Sequence, residues 1–216
     1  MLVLRDLKER CDPCWACLLV VDVQNDFVSP KGSAAQKGDD VRAAQAMVPR
    51  LIGLIEEARR VSLPVIHIKT THSEWTDAPS WIYRKSQRSG LNTCREGSWG
   101  AEFYEGIAPL ANERVLIKHR YGAFINTDLN TILKSRGIES VLVTGVASNV
   151  CVEMTAREAF MYDYYVTMVE DCSAAYEPKM HEAALENIRC HFGIVASSAE
   201  IVESWRGLNQ KKAAGS

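Results

Sequence analysis

One stretch constrains this chain more than any other: VLVTGVASNVCVEMTAREAF, residues 141 to 160. It reads as a buried strand (Val141, Leu142, Val143), a turn of small residues from Gly145 to Ser148, and a helix opening near Cys151. A strand feeding a helix through a tight turn is the elementary unit of a parallel α/β sheet. It also puts a thiol at a helix N-terminus, where free amides and the dipole favour negative charge and bias the sulfur toward thiolate. Thiolate is the nucleophilic form of cysteine. The competing reading is a small apolar cysteine that only packs.

Two other runs end the same way. Residues 17 to 23, CLLVVDV, form a continuous apolar run closing on Asp22, as expected of a central parallel strand covered on both faces. Residues 115 to 119, VLIKH, bring Lys118 to the end of another strand. Ligands of open α/β sheets bind in the crevice outside the carboxyl ends of the strands. Singly, Asp22 is equally a turn carboxylate and Lys118 a surface lysine beyond an edge strand. Together with Cys151 they point to one shared site.

The remaining elements complete the pattern. QNDFVSPKGSAAQKGDD is a polar loop. A helix is predicted from about Val48 to Arg60, with Pro49 in its first turn. PVIHIK at 64 to 69 is a strand, and residues 70 to 110 form a long insertion of little periodicity, a lid or a subunit interface. Thr127 caps a helix that Gly137 ends. Further strands are predicted at 165 to 171 and 194 to 198, with a helix opened by Pro178 between them. The expected fold is a single-domain, three-layer α-β-α sandwich of Rossmann type, with a six-stranded parallel sheet, spanning residues 1 to 216. Residues 1 to 15 form an N-terminal arm and 208 to 216 a frayed polar tail.

Composition excludes several classes. A length of 216 residues allows one ample core, and a net charge of −2 without a basic stripe argues against nucleic acid. No run of about 18 apolar residues predicts a membrane span, and MLVLRDLKER lacks the apolar core of a secretory signal. Seven cysteines in a chain of this size fit a reducing, cytoplasmic setting. Cys11, Cys14 and Cys17 have CxxC spacing, but no fourth ligand lies nearby for a structural zinc; they read as incidental thiols of the arm.

LLVVDVQNDF around Asp22, VLIKHRYGAF around Lys118 and TGVASNVCVEMTAREA around Cys151, in that order, resemble the isochorismatase-like cysteine hydrolase superfamily from about Cys17 to Trp205. The resemblance implies an Asp22–Lys118–Cys151 triad. It implies a cis peptide between Val146 and Ala147 that turns backbone amides toward the substrate, and an oxyanion hole at the amides of Ala147 and Cys151. It also implies a homo-oligomer, dimer or tetramer, and no metal or organic cofactor.

Within that superfamily, KHRYGAFINTDLNTILKSRGI, TGVASNVCVEMTAREAF and GSWGAEF are most similar to the ureidoacrylate and carbamoyl amidohydrolase branch. The implied substrate is a small ureido or carbamoyl amide, cleaved through a thioester with release of ammonia or carbamate. The metal-binding Asp–x–His spacing of nicotinamidases is missing from HIKTTHSEWTDAP, and His67 reads as a packed strand residue. Other small-amide hydrolysis, an isochorismatase-type reaction and a non-catalytic binding role are the alternatives. Candidate pocket residues are Asn25, Phe27 and Tyr121, with Trp75 and Arg84 from an aromatic and basic insertion that also holds Trp81, Tyr83, Lys85, Arg88 and Trp99. Loop packing or a subunit interface would explain the same residues.

Overall fold

A computed structural model describes residues 3–87 and 92–214, with side chains through 207. Six parallel strands make one sheet: β1 Ala16–Val21, β2 Val65–Thr70, β3 Arg114–Lys118, β4 Ser140–Val146, β5 Tyr165–Ala174 and β6 Ile194–Ala196. Their order is β3-β2-β1-β4-β5-β6. The chain therefore winds outward from β1 in one direction, returns to pair β4 with the other side of β1, and winds outward again. The topological switch lies between β1 and β4, where Val21 pairs with Gly145.

β1 is buried along its whole length, and its side chains alternate between two apolar layers. Leu18 and Val20 face one layer, with Leu51 and Leu54 of α4 (Arg42–Arg60) and Ile201 and Trp205 of α9 (Ser198–Ala214). Cys17, Leu19 and Val21 face the other, with Leu133 of α6 (Leu129–Ser135), Ala156 of α7 (Glu153–Met161) and Leu185 of α8 (Pro178–Asn187). This is the three-layer α/β sandwich. Burial of each such leucine stabilises the fold by about 2 kcal/mol. Among the described residues, no helix is long and apolar enough to cross a membrane.

Several boundaries differ from the sequence-based expectation. α4 begins at Arg42, so Pro49 lies inside the helix rather than in its first turn. Ala44, Met47 and Val48 are buried and extend the apolar stripe upstream, and that packing outweighs the backbone bond lost at the proline. The insertion contains a helix, α5 (Pro79–Ser86), opened by its proline. The N-terminal arm carries α1 (Leu7–Arg10) and is part of the core: Leu4 and Cys11 are buried, and the Trp205 indole donates to the Cys11 carbonyl at 2.7 Å. α9 reaches Ala214, taking in most of the stretch expected as a frayed tail, while residues 215 and 216 lie outside the described ones.

Candidate active site

The three side chains singled out by the sequence converge beyond the carboxyl ends of β1, β3 and β4. Asp22 follows β1 with φ 53°, a left-handed conformation that turns its carboxyl under the loops. Its own N–H still bonds the Ile68 carbonyl at 2.9 Å, so the turn is anchored to the sheet. Lys118 is the last residue of β3, an edge strand, yet it is only 1% exposed. It must reach across β2 to β1, two inter-strand gaps of about 4.8 Å each, which demands a long side chain. Its Nζ donates to Asp22 Oδ2 at 2.7 Å and to the Arg120 carbonyl at 2.9 Å.

Cys151 lies in a wide helical turn, Ser148–Val152, that precedes α7. The peptide between Val146 and Ala147 is cis. Gly145 has φ 112°, and a Cβ there would sit 1.9 Å from the Val21 carbonyl oxygen. Only glycine lets β4 pass this closely against β1, and that approach sets Cys151 beside Asp22. The Cys151 carbonyl accepts the Thr155 hydroxyl at 2.7 Å, fixing the turn to α7.

Burial dominates the electrostatics. It pushes Asp22 above the usual carboxylate range, against the opposing pull of Lys118. It works to lower Lys118, but the charge of Asp22 and the nearby Cys151 outweigh it and leave the ammonium above its ordinary value. The Cys151 thiol is pushed up to about 12 by burial, which Lys118 only partly offsets. The expected bias toward thiolate is thus reversed. A helix terminus contributes about 0.3–1 kcal/mol, less than a tenfold change in acidity, whereas full burial changes acidity by several powers of ten. Lys118 occupies Oδ2 of Asp22, and the Cys151 thiol acts on the same carboxylate as a hydrogen-bonding neighbour.

A cavity of about 710 Å³ opens onto Cys151 and Lys118. Phe27, Tyr121 and Arg84 line it. Asn25 does not: it opens α2 (Asn25–Val28), which with α3 (Ser33–Gln36) lies in the stretch expected as a polar loop, and its amide donates to the Trp99 carbonyl at 2.8 Å, pinning the insertion to α2. Trp75 is 91% exposed and lies outside the cavity wall. Arg88 lies outside the described residues. Several cavity residues were not assigned to the pocket from the sequence, among them His72 and Tyr176. His72 and Tyr176 each follow a strand by two residues, after β2 and β5, so the same carboxyl-end rule reaches them.

His72 bonds Asp77 through Nδ1 at 2.9 Å, and burial pushes its imidazole down to about 4. It is therefore neutral at physiological pH. The Tyr176 hydroxyl donates to the Phe27 carbonyl at 3.1 Å. His67 is fully buried within β2, with Nε2 3.0 Å from Glu113 Oε2. Of the seven cysteines, Cys14 and Cys190 are exposed and the other five are buried. Among the described residues, no group of three or more His, Cys, Asp or Glu is arranged to hold a metal.

Comparison with known proteins places this architecture. The isochorismatase domain family model matches residues 16–200. A ureidoacrylate amidohydrolase RutB from Methylobacterium radiotolerans is 31% identical, over 94% of this chain and 84% of its own. An isochorismatase family protein from Desulfovibrio vulgaris superposes with a TM-score of 0.78 at 30% identity, covering 87% of this chain and 96% of its own. N-carbamoylsarcosine amidase from Thermoplasma acidophilum superposes with a TM-score of 0.69 at 30% identity, covering 85% of this chain and 96% of its own. By sequence and fold together, the chain belongs to the isochorismatase-like hydrolase family.

Proposed function

We propose that this protein is a cysteine-dependent amidohydrolase that cleaves a small ureido or carbamoyl amide through a thioester. The observation that carries the reading is the buried Lys118–Asp22 pair, 2.7 Å apart, set against a thiol that opens into a cavity. The relatives named above act, by their names, on ureidoacrylate and N-carbamoylsarcosine. Both names denote a terminal carbamoyl group, and this supports the same substrate class here.

The chemistry follows from the charges. With its thiol near 12, Cys151 is almost wholly protonated at neutral pH. The proton therefore leaves as sulfur attacks, and Asp22, made more basic by burial, is the acceptor. Lys118 holds the carboxylate in place and keeps it ionised for that step. The S–C bond forms and the carbonyl π pair moves onto oxygen, where the backbone N–H groups of Ala147 and Cys151 are the proposed donors. Collapse of the adduct breaks the C–N bond, and the protonated Asp22 returns its proton to the departing ammonia. Water then attacks the thioester, with Asp22 again as base, releasing the carbamate and restoring the thiol. No step needs a metal or an organic cofactor.

The test is ammonia release from ureidoacrylate, biuret, triuret, N-carbamoylsarcosine, nicotinamide and maleamate, with a chelator control and Cys151→Ser alongside. Chelator-resistant turnover of a carbamoyl compound, reduced at least about 10³-fold in Cys151→Ser, is expected. Turnover that survives in Cys151→Ser would remove the thioester mechanism. Turnover confined to nicotinamide or maleamate would replace the substrate class.

A further inference from the structure

None of the residues of α5 is buried, although it is two turns long. What it offers instead is one face to the cavity. Trp81, Arg84 and Lys85 all line the cavity wall, and their i, i+3, i+4 spacing places them on a single stripe. The Trp81 ring packs on His72 with centroids 5.2 Å apart and on Tyr121 at 4.9 Å. The helix is thus held by the site it covers.

Lys85 is the notable member. Its Nζ lies 5.0 Å from the Trp81 ring centroid and 5.6 Å from that of Tyr121. Aromatic faces hold a cation without neutralising it. Among the described residues Lys85 pairs with no carboxylate; Arg84, the neighbouring cation on the stripe, is exposed, whereas Lys85 is half-buried. Lys118 is paired with Asp22, and the Lys37 ammonium bonds the Thr93 hydroxyl at 3.3 Å. Of the acidic residues on the cavity wall, Glu177 is paired with Lys179 at 2.9 Å and Asp39 is exposed. Lys85 and Cys151 also influence one another electrostatically. A half-buried, charge-unpaired ammonium beside the nucleophile is matched by an anionic group on the incoming molecule.

We propose that Lys85 is a specificity-determining residue, whose ammonium, cradled by Trp81 and Tyr121, guides carboxylate-bearing compounds onto Cys151. The inference rests on Cys151 being the reactive centre proposed above. It does not require that the enzyme hydrolyse any particular amide.

Alkylation of Cys151 by iodoacetate and by iodoacetamide separates the two ideas. Both reagents form the same S–CH₂ bond and expel iodide, and the thiol proton passes to Asp22 or to water. They differ in that one carries a carboxylate and the other a neutral amide. Modification is followed by mass on the proteolytic peptide that contains Cys151, so that exposed Cys14 and Cys190 do not contribute.

In Lys85→Met the iodoacetate rate is expected to fall about tenfold while the iodoacetamide rate stays within about twofold, the loss of one charge-assisted contact. Lys85→Arg should restore most of the iodoacetate rate, and added salt should narrow the difference in the wild type. Equal loss with both reagents would make Lys85 a packing element and overturn the proposal, as would no change with either. Failure of both reagents to modify Cys151 in the wild type would overturn it together with the nucleophile assignment. A shifted ratio with no amide hydrolysis would keep the guiding role and reject the amidohydrolase reading. Should Lys85→Met not fold, as judged by circular dichroism, Lys85→Gln carries the same comparison.

Discussion

Replacing Lys118 with methionine isolates what the buried pair costs and what it supplies. Lys118 is 1% exposed and Asp22 is not exposed at all. Removing the ammonium leaves a carboxylate in an apolar setting with its lysine contact gone. Stranding one partner of a buried pair costs about 3–5 kcal/mol. The cost has a pH signature, because Asp22 can escape it by taking a proton. Burial already raises Asp22, and losing Lys118, the largest opposing influence, raises it further. A group whose folded value lies above its unfolded value of about 3.9 favours the folded state fully below that pH, and the advantage is lost as pH rises. The lysine variant should therefore be near wild-type stability around pH 4, and lose about 1.4 kcal/mol per pH unit above it until the 3–5 kcal/mol is spent, at about pH 6–8. Urea unfolding at a series of pH values from 5 to 8, followed by circular dichroism, measures this. The double variant Asp22→Asn/Lys118→Met removes both charges, and asparagine tolerates the φ of 53° at this position. It should recover about 2 kcal/mol or more over the single variant at pH 8 and lose the pH dependence. A single variant whose deficit does not change with pH, or a double variant no more stable than the single, would refute the argument that an unpaired buried carboxylate is what destabilises.

Two further stability predictions use other parts of the fold. Gly145→Ala places a methyl 1.9 Å from the Val21 carbonyl oxygen at φ 112°, and should cost about 3 kcal/mol or more, or abolish soluble expression; a loss under about 1 kcal/mol by urea unfolding would contradict the close approach of β4 to β1. Cys11, Cys17 and Cys172 are each pushed up to about 12 by burial. Their folded values lie above the unfolded value of about 8.5, so each adds stability present below that pH and lost above it, by about 1.4 kcal/mol per pH unit. Thermal unfolding should fall steeply from pH 9 to 10, and Cys17→Ala should blunt the slope by a measurable fraction.

The strands and the meeting of Asp22, Lys118 and Cys151 were legible because they rest on a short-range signal. The apolar runs beginning at Cys17 and Val115 lead directly to Asp22 and Lys118, the run at 141 to 144 leads through a small-residue turn to Cys151, and a parallel sheet brings such ends to one edge. Right-handed crossovers set the hand of each β-α-β unit, while the strand order with its reversal between β1 and β4 emerges only from the folded chain. The rest was hidden where long-range packing decides. Nothing local shows that Cys11 of the arm lies against Trp205, or that α4 starts at Arg42 upstream of a proline. In the insertion, Trp75 and Trp81 look alike in sequence, yet one is exposed and the other covers the cavity. The difference is the helical face that α5 turns inward, which only the folded chain defines. Asn25 was drawn away from the cavity by the Trp99 carbonyl, a partner 74 residues distant.

The thiol carries the most instructive reversal, and it decides how the rate depends on pH. Reading Cys151 at a helix start suggested a preformed thiolate, whose reactivity would follow its own ionisation. A helix terminus is worth about 0.3–1 kcal/mol, while burial moves this thiol up to about 12. Burial wins, so in the proposed mechanism the limiting titration passes from sulfur to the carboxylate that must accept its proton. Asp22 is itself raised by the same burial. The acid limb of kcat/KM for the amide hydrolysed should therefore fall above the usual carboxylate range of about 4, with no rise near pH 9 where an ordinary thiol ionises. Asp22→Asn should abolish that limb together with at least about 10²-fold of the rate. A profile that instead climbs with a single step near pH 8 to 9, unchanged by Asp22→Asn, would mean that free thiolate is the attacking species and that the burial argument is wrong.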